Sequence, residues 1–173
     1  GFAGAETSDC RHMPALSVVD LADRLTSLRL VDARDMSDAQ AALPRNADAD
    51  ELVLWLLQHH HLTEFQAGRI RKGEFDGLIL GGVKLLYRNA SGSFARVFRG
   101  ESLKDGSTIG VKLLRERWSN DPETIRLFHR EGDIGQKLVH PNIVPIYKVA
   151  QEGSFHYLTM EFVEGGNLRD FVK

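Results

Sequence analysis

Hydrophobic positions recur along this chain at two different periods, and the change falls near Leu78. Between Ser17 and Gly73 the spacing is three and four. In "VVDLADRLTSLRLV", Val18, Leu21, Leu25 and Leu28 make one apolar stripe, and Ser17 ahead of them can accept a hydrogen bond from a free helix N–H. "MSDAQAAL" predicts a second helix, stopped by Pro44. "DADELVLWLLQHHH" carries acids in its first turn and histidines in its last, the order that a helix dipole favours, with Leu52, Trp55 and Leu56 facing inward. Thr63 opens a fourth helix, "EFQAGRIRKG", which ends at Gly73. Residues 1–15 have no period and read as a disordered leader, so residues 16–76 are expected to form a helical N-terminal domain.

Beyond Leu78 the period is two and strand formers dominate. "VKLLYR", "FARVFRG", "STIGVKLL", "IYKVAQE" and "FHYLTMEF" predict five strands, with Lys104-Asp105-Gly106 as a hairpin turn. One helix interrupts them. "NDPETIRLFHREGDIGQKL" has Pro122 in its first turn and places Leu127, Glu131, Ile134 and Leu138 on one face. The expected fold class is α+β: over residues 77–173 a five-stranded antiparallel sheet with one packed helix, preceded by an all-α segment.

Charge and composition narrow the partners. Residues 1–76 carry a net −5 and residues 77–173 a net +3, an asymmetry that fits two modules. Neither half has the dense basic and aromatic clustering that nucleic-acid binding requires. The longest apolar run, Leu52 to Leu57, is far short of the ~18–20 residues that span a bilayer, so no membrane insertion is expected within the chain. The one cysteine, Cys10, excludes an internal disulfide framework and fits a reducing, cytoplasmic compartment. His59, His60 and His61 point in different directions on a helix and cannot converge on one ion; they read as helix-terminal cations, and no metal site is expected.

Phosphoryl transfer asks a protein mainly to position phosphates and neutralise their charge. Strand alternation puts Gly110 and Lys112 on one face, an ammonium beside a position where a flat base could lie. Glu131, on the helix, could aim that ammonium. The succession "ASGSFARV", "IGVK", "HREGDIGQKLVHPNIV" and "YLTMEFVEGGNL" resembles, in order, the small nucleotide-holding lobe of a eukaryotic-type serine/threonine protein kinase in its bacterial version. Glu131 lies nine residues before the His-Pro-Asn run, as is usual in that family.

The resemblance implies roles. Lys112 would hold the first two phosphates of ATP and Glu131 would pair with it. Met160 would guard the back of the pocket, Glu161 and Val163 would meet adenine through their backbone, and Asn167 would reach the ribose. Ala90, Ser91, Gly92, Ser93 and Val97 fall on the phosphate loop, where the family reads Gly-x-Gly-x-Phe-Gly-x-Val and this chain keeps the middle glycine. Gly110 stands where the family usually has alanine, and Gly135 where a bulky apolar residue helps to seat the helix. Gly132 and Gly135 each cost a helix about 1 kcal/mol relative to alanine, while an exposed ion pair returns about 0–1 kcal/mol. The helix is therefore expected to be displaced, shortened or mobile, with Lys112 and Glu131 apart.

The implied function is transfer of the γ-phosphoryl of ATP, with Mg²⁺, to a serine or threonine of a protein substrate. The family's catalytic-loop aspartate and Asp-Phe-Gly are expected beyond Lys173, and Asp170 in "LRDFVK" reads as a surface residue. These 173 residues alone are accordingly expected to be inactive, to bind Mg·ATP weakly, and to self-associate through apolar groups around Met160, Phe162 and Val163. The competing reading is a pseudokinase or protein-interaction module, which the alanines at positions 90 and 95 favour.

Overall fold

The computed structural model describes residues 16–164. The expected leader, the role given to Asn167, and Asp170 lie outside them. Four helices come first: α1 (Val18–Ser27), α2 (Ala33–Ala42), α3 (Ala49–Gln58) and α4 (Glu64–Arg71). Each begins behind a side chain that accepts a hydrogen bond from a first-turn N–H, namely Ser17, Asp32, Asp48 and Thr63. Asp48 with Glu51, and Thr63 with Gln66, close reciprocal capping boxes, satisfying two N–H groups each. Leu21, Leu25, Leu52, Leu56 and Ile70 meet in one core, which Phe75 and Leu78 complete.

The remaining strands form one antiparallel sheet in the order β1-β2-β3-β4-β6-β5. They are β1 (Ile79–Leu80), β2 (Val83–Ser91), β3 (Ala95–Ser102), β4 (Thr108–Leu114), β5 (Ile146–Glu152) and β6 (Phe155–Glu161). The sheet has six strands, not the expected five. The additional one is two residues long, too short for a period to register, and turns into β2 through Gly81 and Gly82, at φ 59° and 74°. Only glycine adopts that pair of positive angles freely.

The helical segment is fastened to the sheet through β2. The buried Gln66 donates from Nε2 to the Leu85 carbonyl at 2.8 Å, the Thr63 hydroxyl donates to the Leu86 carbonyl, and Phe65 packs on Phe98. One sheet face buries Leu80, Val83, Leu85, Phe98, Val111 and Tyr157. The other face carries α5 (Pro122–Lys137), under which Leu114, Phe128 and Leu158 are buried.

The expectation of a displaced or shortened α5 is wrong, and the glycines explain why. A Cβ on Gly132 would stand 2.4 Å from Val149 Cγ2, and one on Gly135 would stand 2.3 Å from Ile146 Cδ1. Their missing side chains let α5 lie directly on β5. A close approach recovers by packing what the glycines cost in helix propensity. The face assignment also changes: Phe128 and Gly132 are the buried positions, while Leu127, Ile134 and Leu138 are each about half exposed.

Candidate nucleotide-binding site

Cross-strand register assembles the site. Val97 lies opposite Lys112, Arg99 opposite Gly110, Gly110 opposite Met160, and Lys112 opposite Leu158. All of these project from the face that carries α5. Gly110 is buried beside Met160: a Cβ there would meet Met160 Cγ at 3.0 Å, closer than an ordinary contact. Glycine at this position is therefore matched to its cross-strand methionine.

Lys112 Nζ donates to Glu131 Oε1 at 3.0 Å. The pair expected to be apart is formed, because α5 sits close against the sheet. The Lys112 side chain is 30% exposed and that of Glu131 68%, so water screens the contact and its net stabilisation is about 0–1 kcal/mol. Its effect is to aim the ammonium. The lysine occupies a fixed place one strand away from Val97 and two residues beyond Gly110.

At the end of β6 the Glu161 N–H is already used, donating to the Pro145 carbonyl at 3.0 Å, so what Glu161 can offer a base is its carbonyl. Val163 follows, 60% exposed. Ala90 and Ala95 are strand residues paired with Val97 and Leu114, so neither position needs the φ freedom of glycine. Gly92 turns the chain between them, donating to the Ala95 carbonyl at 2.8 Å, and its φ is not positive. Alanine at positions 90 and 95 therefore carries no backbone strain. Ser91 and Ser93 are exposed, and the Ser93 carbonyl accepts from Arg117 at 2.6 Å and from Trp118 Nε1 at 3.2 Å. Those contacts tie the loop to the 3-10 helix Glu116–Trp118.

Sequence reasoning missed a cluster at the outer lip. The Arg99 guanidinium donates to the Tyr87 hydroxyl at 3.0 Å, pairs with Glu164 at 3.0 Å, and lies 5.6 Å from the Phe162 ring centre. Its hydrogen bond to Tyr87 raises its pKa above the ordinary guanidinium value, with the Glu164 charge adding to the shift. Alternation from Val97 would have placed Arg99 on this face. A second missed contact lies behind α5, where His129 Nε2 and the buried His156 Nδ1 are 2.9 Å apart. Burial, and then the neighbouring His129, lower the His156 pKa. The three consecutive histidines do not converge: His59 stacks on Trp55, and His61 contacts the Asp35 carboxylate at 3.2 Å. No cluster of three or more metal-ligating side chains occurs among the described residues.

This geometry meets the comparisons with known proteins. The protein kinase domain family matches residues 90–173. Serine/threonine-protein kinase PrkC of Bacillus subtilis is 36% identical over 94 residues, covering 54% of this chain and 14% of that protein. Residues 90–173 of this chain are thus similar to part of a protein kinase domain, and the relatives named here are bacterial serine/threonine kinases. The probable serine/threonine-protein kinase PknB of Lactococcus lactis is 38% identical over 82 residues, or 47% of this chain and 13% of the relative. The chain thus spans about one seventh of the length of the curated relatives it matches. Among solved structures, the Mycobacterium tuberculosis PknI kinase domain aligns at a TM-score of 0.44 and 20% identity, covering 51% of this chain and 36% of that one. Relatives named as kinases do not favour the pseudokinase alternative. No helix among the described residues is long and apolar enough to cross a membrane.

Proposed function

We propose that residues 77–173 hold ATP and that the whole protein transfers its γ-phosphoryl to serine or threonine of a protein substrate. The observation that carries this reading is the Lys112–Glu131 pair at 3.0 Å, one strand away from Val97 and on the same face as Gly110. Adenine would lie between Val97 and Gly110, with Met160 behind it and the Glu161 carbonyl and Val163 backbone at its edge. Ala90, Ser91, Gly92 and Ser93 would cover the phosphates with backbone, and Lys112 would neutralise them. Asn167 keeps its proposed ribose contact. Mg²⁺ would add charge neutralisation in the whole protein, held by residues other than those described here.

The division proposed between residues 76 and 77 lies just ahead of the change of core, since Leu78 still belongs to the helical core and Leu80 to the sheet. The half-exposed Leu127, Ile134 and Leu138, with Val163, support self-association of this chain, and a light-scattering mass of a monomer at high concentration would speak against it.

Nuclear magnetic resonance tests nucleotide binding directly. Titrated Mg·ATP should shift the amides of residues 90–97, Lys112, Glu161 and Val163 with a dissociation constant near 1 mM, about 4 kcal/mol of binding. Lys112→Met should abolish the response. Shifts elsewhere, or shifts that Lys112→Met leaves intact, would overturn the reading. In the whole kinase the same substitution should lower phosphoryl transfer by about 10²-fold or more, the scale for losing one charge-stabilising donor.

A further inference from the structure

The outer side of the phosphate loop holds an arrangement that nucleotide binding does not use. β2 ends at Ser91, whose cross-strand partner is Arg96, so both side chains project on the face opposite to Val97 and Lys112. Arg115, three residues beyond Lys112 and so on that same outer face, donates to Ser91 Oγ at 2.7 Å. Arg117 is drawn to the same loop through the Ser93 carbonyl at 2.6 Å. Arg88 lies on the outer face as well, opposite Phe98.

One guanidinium, that of Arg115, therefore bonds the exposed Ser91 hydroxyl, and Arg96, Arg117 and Arg88 lie near enough for their charges to act on it. Arg88, Arg96, Arg115 and Arg117 make no ion pair with any Asp or Glu among the described residues. Arg115 Nε is buried without a hydrogen-bond partner among them. Desolvation, and after it the charges of Arg96, Arg117 and Arg88, hold the Arg115 pKa below the ordinary guanidinium value. Like charges gathered this way repel, and an unpaired donor adds to the cost. A dianion with three acceptor oxygens relieves both at once, since arginine forks match phosphate geometry.

We propose that Ser91 is a phosphorylation site and that Arg88, Arg96, Arg115 and Arg117 receive its phosphate. The donor is a nucleoside triphosphate used by a serine/threonine kinase. Ser91 Oγ bonds to the γ-phosphorus, the bond from that phosphorus to the bridging oxygen breaks, a nucleoside diphosphate leaves, and the hydroxyl proton passes to a base of that kinase. The phosphate then draws the end of β2 and the start of the 3-10 helix together on the outer face. The proposal does not depend on this chain holding ATP.

The test uses the 173-residue chain with phosphoserine installed at position 91 during translation. Its phosphorus resonance, followed against pH, should titrate at least one unit below the ordinary second phosphate pKa of about 6, a tenfold or larger weakening of proton binding. Replacing Arg115 and Arg96 by alanine should return it toward the ordinary value. An ordinary titration, or one that these replacements leave unchanged, overturns the proposal. Inorganic phosphate added to the unmodified chain separates the sources: if it binds saturably while the installed phosphoserine titrates normally, the cluster is a free-anion site and the proposal fails. Mass spectrometry of the protein from its source cells, with phosphatases inhibited, should find phosphate on Ser91. Its absence there overturns the modification.

Discussion

The two faces of the sheet are finished differently. On one, Leu80, Val83, Leu85, Phe98, Val111 and Tyr157 are all at most 5% exposed, closed by their own packing and by Phe65 from the helical segment. On the other, Leu114, Phe128 and Leu158 are buried under α5, but Leu127, Ile134 and Leu138 stay half exposed and Lys112 meets Glu131 in partial contact with water. The closed face supplies stability. The open face positions charge at little energetic return, which is how a binding surface differs from a core.

The largest expected effect is on the closed face. Leu85→Ala removes a fully buried side chain beside the Gln66 tether and should cost about 2–5 kcal/mol of unfolding free energy, measured by urea denaturation. Leu127→Ala, on the open face, should cost about 1 kcal/mol or less. Equal costs would mean that the two faces are equally well packed.

Next in size is the seat of α5. Gly132→Ala gains about 1 kcal/mol of helix propensity, yet its Cβ meets Val149, a branched side chain whose Cγ2 cannot swing away. Overpacking of this kind typically costs about 1–3 kcal/mol, so the variant should be less stable. At Gly135 the obstructing atom is the terminal Cδ1 of Ile146, which can rotate aside. Gly135→Ala should be near neutral. A stabilised Gly132→Ala would show that α5 has room to move.

These glycines also mark the limit of what could be read without coordinates. The helices of residues 16–76 were legible because their caps and stripes are local: Ser17, Asp48 with Glu51, and Thr63 act within four residues. Lys112 and Glu131 were legible as candidates because strand alternation and motif order are properties of sequence. Their contact was not, since it depends on Gly132 meeting Val149, seventeen residues away, and propensity counts a glycine only as a loss. The Arg115–Ser91 contact was hidden for the same reason. β1 was missed because two residues cannot display a period.

A smaller effect should separate the faces by pH. His156 is buried under α5 with a pKa below the ordinary 6.5, so the unfolded chain binds its proton more readily than the folded one. Stability from this group is present above pH 6.5 and is lost as pH falls through the lower folded value. A single proton limits the size. His156→Gln should flatten the stability profile between pH 5 and 7 relative to the parent; an unchanged slope would assign the acid sensitivity to other groups.

The smallest effect on stability, and the one that most sharply distinguishes the faces, belongs to Lys112. Its ion pair with Glu131 is largely exposed, so Lys112→Ala should change unfolding free energy by about 0–1 kcal/mol. If α5 is held by Phe128 and by the close approach at Gly132, as the packing indicates, the helix should keep its place without the pair. Amide exchange across Pro122–Lys137 reads this directly, because a helix released from the sheet loses protection along its length. Protection that survives in Lys112→Ala, with nucleotide response gone, would assign the pair to positioning charge. Protection lost together with the lysine would mean that the ion pair seats the helix, and that the open face stabilises itself through the contact proposed to hold phosphate.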